Sequence, residues 1–271
     1  MAIHVSGLFV YPVKSCRGIA LEAAELGTRG IRFDREWMVV NERGTFVSQR
    51  SYARLALVET ALTEARLRLS APGMESIEVP LAPQPGAAAA VTVWGDRCAA
   101  VDQGEEAARW FGALLQTPCR LVRMDPDWVR PVNPRYAPPG SQVGFADGYP
   151  LLALSEASLA DLNARLVQPL PMDRFRPNLV VSGCEPYAED TWPAVRVGEV
   201  ILRAAKPCVR CKITTIDQQT ARPMGEEPLR TLATYRQIDK GQIFGQNMVH
   251  TSPGRLALGD AVEMVALAGP V

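Results

Sequence analysis

The sequence predicts a mainly β protein with α+β elements, in which short strands outnumber helices. The N-terminal half contains many short runs of β-branched and apolar residues, separated by Pro and Gly clusters. Few segments show the 3.6-residue periodicity of an amphipathic helix. Strands that are this short and this closely spaced favour a barrel or a sandwich, because a doubly wound sheet needs a helix between each pair of parallel strands.

The first elements along the chain are expected to be strands, with one hairpin among them. The predicted strands of the N-terminal half are residues 5–10, 21–26, 37–41, 45–49, 55–60, 66–70, 76–79, 90–93 and 98–101. Gly44 lies in the link between the third and fourth, where a short hairpin commonly requires a positive φ. The predicted strands of the second half are residues 179–182, 195–197, 200–204, 211–217 and 261–265.

Three helices are expected on the outside of this framework. Asp102 and Glu105 have the spacing of a capping box and predict the start of the first helix. The inward-facing residues are predicted to be Ala107, Trp110, Phe111, Leu114 and Leu115 in the first helix, Leu159, Leu162 and Leu166 in a second that starts at Ser155, and Leu229, Leu232 and Ala233 in a third that starts near Pro228. The Pro-rich segment 130–140 predicts a domain crossover or an active-site loop.

The composition limits the class of protein without naming it. A chain of 271 residues suits one large or two ordinary domains, and we predict two, residues 1–120 and 121–271. The formal net charge is +0, so the overall field favours neither nucleic acid nor an anionic membrane. The N-terminus lacks a signal-peptide pattern, and the apolar runs are too short to span a bilayer. We therefore expect a cytoplasmic protein whose six cysteines stay reduced.

The most informative segment is 206–217, which contains the one Cys-x-x-Cys of the chain, Cys208 and Cys211. Three cations lie beside these cysteines, at Lys206, Arg210 and Lys212. Such cations favour the thiolate, which is the form that binds a soft metal. Three other interpretations stay open: a structural zinc site, which usually needs four ligands, a thioredoxin-like dithiol, which would sit at a helix N-terminus, and inert buried cysteines.

Two further basic segments are suited to holding an anion. Lys14 and Ser15 follow a proline and precede a glycine, so the chain is expected to turn there and to present donors. Arg176 precedes a proline, which biases it towards an extended conformation, and Asn178 beside it can both donate and accept. Arg35 lies between two acidic residues, with which it could instead pair. Together with the cysteines, these segments indicate a phosphate-bearing cofactor and a metal.

The sequence resembles the MOSC family, named after the molybdenum cofactor sulfurase C-terminal domain, together with its N-terminal β-barrel domain. The resemblance extends over nearly the whole chain and is specific to the branch that contains the mitochondrial amidoxime-reducing components and their bacterial relatives. Its segments are 11–18, 33–37, 154–163, 175–178 with 187–190, and the Cys-x-Arg-Cys segment that ends at residue 217. It implies an N-terminal MOSC β-barrel-like domain packed on a MOSC β-barrel domain with a few peripheral helices.

The resemblance also implies a cofactor and a reaction. Members carry the molybdenum cofactor, Mo-molybdopterin, and reduce N-hydroxylated compounds by two-electron N–O cleavage at a cysteine-ligated molybdenum. By position in the family's motif, Cys211 would be the metal ligand and the catalytic residue. The implied cofactor-binding residues are Lys14, Ser15, Arg35, Arg176, Asn178, Arg210 and Asn247, the last of which replaces a tyrosine of the animal members.

The expected partners are a small N-hydroxylated substrate and an external electron donor. The sequence has neither a dinucleotide-binding fingerprint nor a ferredoxin-type cysteine set, so a flavoprotein reductase or a small electron carrier would have to deliver the electrons. No nucleic acid or membrane partner is expected. The alternative is a non-enzymatic cofactor-binding or sulfur-carrier protein. Asp217 is a candidate proton relay or a simple turn former, and segment 130–140 is expected to shape the substrate pocket.

Overall fold

The computed structural model describes residues 2–266, and strands dominate them. The helices are α1 (Glu105–Leu115), α2 (Glu156–Ala164) and α3 (Leu229–Ala233), with single 3₁₀ turns at Ala53–Leu57, Met172–Arg174, Ala188–Thr191 and Lys212–Thr215. The strands are β1 (His4–Val10), β2 (Ile19–Leu21), β3 (Ala23–Gly27), β4 (Gly30–Ile31), β5 (Trp37–Asn41), β6 (Glu59–Leu62), β7 (Arg66–Ala71), β8 (Met74–Pro80), β9 (Ala88–Val93), β10 (Asp96–Asp102), β11 (Cys119–Met124), β12 (Leu151–Ser155), β13 (Leu179–Ser182), β14 (Ala194–Val197), β15 (Val200–Val209), β16 (Gln237–Ile238), β17 (Gly241–His250), β18 (Gly254–Ala257) and β19 (Val262–Met264).

The largest sheet combines strands from both halves of the chain. Its order is β19-β14-β15-β17-β12-β13-β1-β2, and β16 pairs with β17. Strands β12 and β13 are parallel, while β1 runs antiparallel to β13. A separate three-stranded sheet, β18-β3-β4, also joins the two ends of the chain. Because β1 pairs with β13, the turn that follows β1 lies close to the segment that precedes β13.

The rest of the N-terminal half forms its own layers around a second core. A four-stranded sheet, β5-β11-β10-β9, and a three-stranded sheet, β6-β7-β8, pack with α1. All five predicted inward-facing residues of α1 are buried, as the amphipathic pattern predicted. The predicted mainly β class, with short strands that outnumber the helices, is therefore confirmed.

The predicted starts of the helices have mixed outcomes. Ser155 is the N-cap of α2, and its hydroxyl accepts from the Ser158 N–H at 3.0 Å, so this prediction is confirmed. The capping box before α1 is wrong, because Gly104 is the N-cap and the Asp102 carboxylate accepts from the Gly104 N–H at 2.7 Å. In α3, which begins directly after Pro228, Leu232 is buried as predicted, but Ala233 is exposed rather than inward. Leu166 lies beyond the end of α2.

Two predicted strands of the N-terminal half are also wrong. Residues 45–49 form only isolated bridges to β5 and β9, because the chain turns at once on the Ser48 carbonyl, which accepts from two following N–H groups. Residues 53–57 form a 3₁₀ turn with a buried centre, so β6 begins only at Glu59. The predicted strand at 21–26 is divided between β2 and β3.

The predicted strand at 211–217 is a 3₁₀ turn instead, which changes the setting of Cys211. The hydroxyl of Thr214 donates to the Cys211 carbonyl at 3.0 Å, and that of Thr215 donates to the Lys212 carbonyl at 2.8 Å. Such local side-chain bonds to the backbone compete with the pairing of a strand. Cys211 therefore precedes a single helical turn and does not lead into a strand.

The division of the chain near residue 120 remains a prediction. Strands β1 and β2 precede this point and belong to the large sheet, while β11 begins at Cys119 and pairs with β5 and β10.

Within residues 2–266, none of the helices has both the length and the apolar character required to cross a membrane.

Candidate cofactor-binding site

A cavity of about 260 Å³ brings together the eight residues that were expected to contact the metal or the cofactor. Its wall includes Lys14, Ser15, Arg35, Arg176, Asn178, Arg210, Cys211 and Asn247. Sequence reasoning missed two charged neighbours on the same wall, Arg50 and Asp147. Neither residue stands in a segment whose pattern indicated chemistry.

Cys211 lies where β15 ends and the chain turns. The Arg210 N–H donates to the Gln242 carbonyl of β17 at 2.7 Å, which fixes the end of the strand. The 3₁₀ turn after Cys211 is held by Arg174, whose Nε donates to the Thr214 carbonyl at 3.0 Å. Because Arg174 is only 1% exposed, this contact is well shielded from water. Cys211 is half-buried and borders the cavity, so its position is set from both sides.

Cys208 lines the same wall three residues earlier and is held differently. Arg210 donates from Nη1 to the Cys208 sulfur at 3.0 Å and from Nη2 to the Phe175 carbonyl at 2.6 Å. Both thiols are free. Cys16, which lies in the first basic segment, is fully buried, and burial raises the pKa of its thiol to about 12. Cys16 therefore stays protonated at neutral pH.

Lys14 is buried at the edge of the cavity and forms an ion pair with Asp147, whose side chain is 58% exposed. The Lys14 ammonium donates to the Phe145 carbonyl at 2.8 Å and to the Asp147 carboxylate. Burial lowers the pKa of Lys14, and Asp147 opposes this shift. Partial desolvation would raise the pKa of Asp147, but the charges of Lys14 and Arg50 outweigh it and hold that pKa below its usual value. Asp147 is therefore ionised at neutral pH and can accept hydrogen bonds but not donate a proton.

Arg35 and Asn178 form a network around Asp34. Arg35 donates to the Asp34 carboxylate and, at 2.9 Å, to the Asn178 amide oxygen. The Asn178 amide nitrogen donates to Asp34 and to the Phe9 carbonyl, both at 3.1 Å, and its oxygen also accepts from the Leu152 N–H. Both the nitrogen and the oxygen of the Asn178 amide are thus engaged in hydrogen bonds with protein groups. Its role in the structure is to orient Arg35.

The Arg176 side chain forms no ion pair with a carboxylate among residues 2–266. Its guanidinium carbon lies 4.3 Å from the centroid of the Tyr11 ring, and no side-chain hydrogen bond or ion pair to a described residue accompanies this stacking. Burial lowers the pKa of Arg176. Its φ is 55°, so the predicted extended conformation is wrong: the Arg176 N–H continues the preceding turn by donating to the Asp173 carbonyl at 3.3 Å.

Three residues of the cavity wall have strained backbones. Ser15, Arg35 and Arg176 have φ values of 69°, 49° and 55°, in the left-handed region that side chains rarely adopt. Each such residue costs about 1–3 kcal/mol, and such strain persists where surrounding contacts enforce it, often at functional sites. Their gathering in one cavity supports a functional role for it.

The charges of the wall are strongly unbalanced. Its cations are Lys14, Arg35, Arg50, Arg176, Lys206 and Arg210. Asp147 is the one carboxylate among the lining residues of this cavity. Lys206 is held by two rings, with its ammonium 5.3 Å from the centroid of Tyr136 and 5.4 Å from that of Tyr149. An excess of cations beside a thiol fits an anionic, phosphate-bearing cofactor whose metal takes one sulfur ligand.

Other predicted features lie outside the cavity or only touch it. The Asp217 carboxylate accepts from the Gln219 and Thr220 N–H groups and from Arg174, so it acts as a turn former. Segment 130–140 contributes no lining residue. It contacts the lining at two places: Tyr136 lies against the Lys206 ammonium, and Arg130 donates from Nη1 to the Ala146 carbonyl at 2.6 Å.

The described residues offer little for a protein-only metal site. Within residues 2–266, no three or more His, Cys, Asp and Glu side chains cluster in a way that could hold a metal ion. A structural zinc site usually takes four protein ligands. A metal at Cys211 would therefore depend on ligands that a cofactor supplies.

Comparison with known proteins agrees with this geometry. Residues 2–118 match the MOSC N-terminal beta barrel domain, and residues 140–263 match the MOSC domain. The sequence is 38% identical to mitochondrial amidoxime-reducing component 1 of Homo sapiens, covering 96% of this chain and 82% of that protein. It is 37% identical to mitochondrial amidoxime reducing component 2 of Rattus norvegicus, covering 95% of this chain and 82% of that protein. This chain therefore belongs to the MOSC domain family, within the group that contains the amidoxime-reducing components.

Proposed function

We propose that this protein is a molybdenum-cofactor-dependent reductase of N-hydroxylated compounds such as hydroxylamines, amidoximes and N-hydroxylated bases. The observation that carries the proposal is the cationic cavity beside Cys211, in which Arg176 forms no ion pair with a described residue. The similarity to amidoxime-reducing components supports the class of reaction.

The cavity residues would divide the work of holding the cofactor. Arg176 and Lys14 would bind its phosphate, and Arg35 would contact the pterin with Asn178 and Asp34 keeping it in place. Cys211 would ligate molybdenum as a thiolate, a soft ligand for a metal that prefers sulfur. When bound, the cofactor would supply the two-electron chemistry that cleaves the N–O bond.

Ser15, Arg210 and Asn247 would complete the site at its edges. Ser15 can present its hydroxyl and a strained backbone to an anion. Arg210 already holds the Cys208 sulfur and so fixes the segment between the two cysteines. The Asn247 amide nitrogen donates to the Lys206 carbonyl at 3.2 Å, which ties β17 to the cysteine-bearing strand.

The electrons would come from an external donor. The sequence contains no dinucleotide-binding fingerprint and no ferredoxin-type cysteine set, so a flavoprotein reductase, alone or with a small electron carrier, would serve this protein. Neither nucleic acid nor a membrane belongs to the proposed partners. A cytoplasmic location is part of the same proposal.

The test is metal analysis and turnover of protein made in a host that synthesises molybdopterin. We expect nearly one molybdenum per chain, and reduction of hydroxylamine with reduced viologen but not with NADPH alone. Cys211→Ser should lose the metal and the activity, since a neutral hydroxyl is a poor replacement for a soft thiolate. The matched control Cys208→Ser should keep most of both.

Two results would count against the reductase. Full activity of the Cys211→Ser variant would remove the ligand assignment. A wild-type protein that carries a cysteine persulfide without molybdenum would favour the sulfur carrier, whereas bound cofactor without any reductase activity would favour a cofactor-binding protein.

A further inference from the structure

An exposed indole, Trp94, packs against Arg50 of the cavity wall and is not explained by cofactor binding. Trp94 and Gly95 form the two-residue loop of the β9–β10 hairpin, in which Val93 pairs with Asp96. Trp94 is 53% exposed, although tryptophan is usually among the more buried residues. The loop therefore presents a large aromatic surface to solvent.

The backbone at Trp94 is strained. Its φ is 58°, in the left-handed region, where a bulky residue is a genuine outlier. Two-residue hairpin loops usually place Gly, Asn or Asp at such a position. Gly95 would tolerate a positive φ without cost, yet the positive φ falls on Trp94. Strain of this kind points to a function that requires the indole at this position.

The contacts of Trp94 connect it to the wall of the cavity. The Arg50 guanidinium lies 4.5 Å from the centroid of the indole, and the Phe46 ring lies 5.2 Å from it. Arg50 lines the cavity, and its Nη2 is 3.4 Å from the carboxylate of Asp147, which also lines it. Phe46 in turn lies 5.3 Å from the Lys14 ammonium. The indole thus contacts one residue of the cavity wall, Arg50, and one residue beside it, Phe46, while about half of its surface stays exposed.

We propose that Trp94 is a specificity-determining residue on which planar aromatic N-hydroxylated substrates stack as they enter the cavity. This inference rests on the proposed reductase function and names the class of substrate. Aromatic rings stack on an exposed indole in offset or edge-to-face arrangements. Arg50 holds the indole from one side and would keep its orientation. A substrate without a ring gains nothing from this surface.

The test compares benzamidoxime, which has a ring, with hydroxylamine, which has none. Molybdenum-loaded wild type, Trp94→Ala and Trp94→Phe are titrated with benzamidoxime by calorimetry and assayed with reduced viologen. We expect Trp94→Ala to weaken benzamidoxime binding and to raise its KM about tenfold, with the KM of hydroxylamine and the molybdenum content unchanged. Trp94→Phe should restore most of the loss. The control Trp128→Ala, at an exposed site on another loop, should behave as wild type.

Two outcomes overturn the stacking proposal. The first is that wild type and Trp94→Ala bind benzamidoxime with equal affinity, or that neither of them binds benzamidoxime. The other is an equal loss for both substrates, which would assign Trp94 a purely structural role. Because calorimetry measures binding without turnover, it tests stacking on Trp94 independently of the reductase activity. If benzamidoxime binding depends on Trp94 but neither compound is reduced, the stacking proposal is supported and the proposed reductase function is refuted.

Discussion

At the scale of single residues, Arg176 offers the cleanest separation of cofactor binding from folding. Its guanidinium stacks on Tyr11 and has no ion pair among residues 2–266, so its removal strands no buried partner. Charge-assisted hydrogen bonds contribute about 1.5–3 kcal/mol, which corresponds to roughly a ten- to hundredfold change in affinity. We expect Arg176→Ala to lose cofactor while the melting temperature of the cofactor-free protein stays at the wild-type value.

The measurement is molybdenum and pterin content per chain, together with thermal unfolding of the cofactor-free protein. Arg165→Ala is the matched control, because Arg165 pairs with Asp161 on the surface and does not line the cavity. Unchanged cofactor content in Arg176→Ala would place the anion site elsewhere. A large fall in its melting temperature would show that Arg176 mainly supports the fold.

At the scale of elements, a buried pair of amides joins the Ser15 turn to the segment that follows Cys211. The side chains of Gln49 and Gln218 donate to each other, both at 3.0 Å, and are 1% and 4% exposed. Gln49 also donates to the Ser15 carbonyl at 2.7 Å, and Gln218 donates to the Ile216 carbonyl at 3.0 Å. The pair therefore links two segments that border the cavity: the strained turn at Ser15 and the tight turn after Cys211.

A double-mutant cycle tests this link. Either single variant, Gln49→Leu or Gln218→Leu, leaves the remaining buried amide without its hydrogen-bond partner. This loss lowers the free energy of unfolding by about 1–3 kcal/mol. Replacing both removes the mutual bonds together, so the double variant should lose less than the sum of the single losses. Urea unfolding of the cofactor-free protein gives the four free energies. Strict additivity would show that the two amides do not support each other.

Helix α1 and the turn after Cys211 show what sequence patterns can and cannot predict. Helix α1 was predictable because its apolar residues repeat with helical spacing and face one core. The turn after Cys211 was not, because Thr214 and Thr215 favour strands in general but here bond to the preceding carbonyls. Local propensity alone does not reveal which of these two outcomes is stabilised.

The cavity likewise has residues that sequence motifs identify and residues that only tertiary contacts identify. Motif positions identified eight lining residues, but only the pairing of β1 with β13 brings the first basic segment to Asn178. Arg50 and Asp147 were missed because each is isolated in sequence. Asp147 gains its role from its ion pairs with Lys14 and Arg50, and Arg50 gains its role from its contact with Asp147. Tertiary contacts, rather than motifs, define these two positions.

At the scale of the whole molecule, the two halves share strands, and this should decide which fragments fold. Fragment 1–120 lacks most of β11, which lies between β5 and β10 and contributes buried Leu121 and Val122. Fragment 1–130 restores that strand and with it the central pairing of the four-stranded sheet. We expect fragment 1–130 to unfold cooperatively on heating and fragment 1–120 to show no cooperative transition, as followed by circular dichroism.

The complementary fragment 121–271 should also fail to fold by itself. It lacks β1, which covers the β13 edge of the large sheet, and β3, which pairs with β18. Val5 and Leu8 of β1 are almost fully buried, so their loss would expose the apolar core of that sheet together with an unpaired edge. Adding fragment 1–120 during refolding should restore a cooperative transition, since it returns both strands. A cooperative transition of fragment 121–271 alone, at a temperature near that of the full chain, would show that the second half is an independent domain despite the shared sheet.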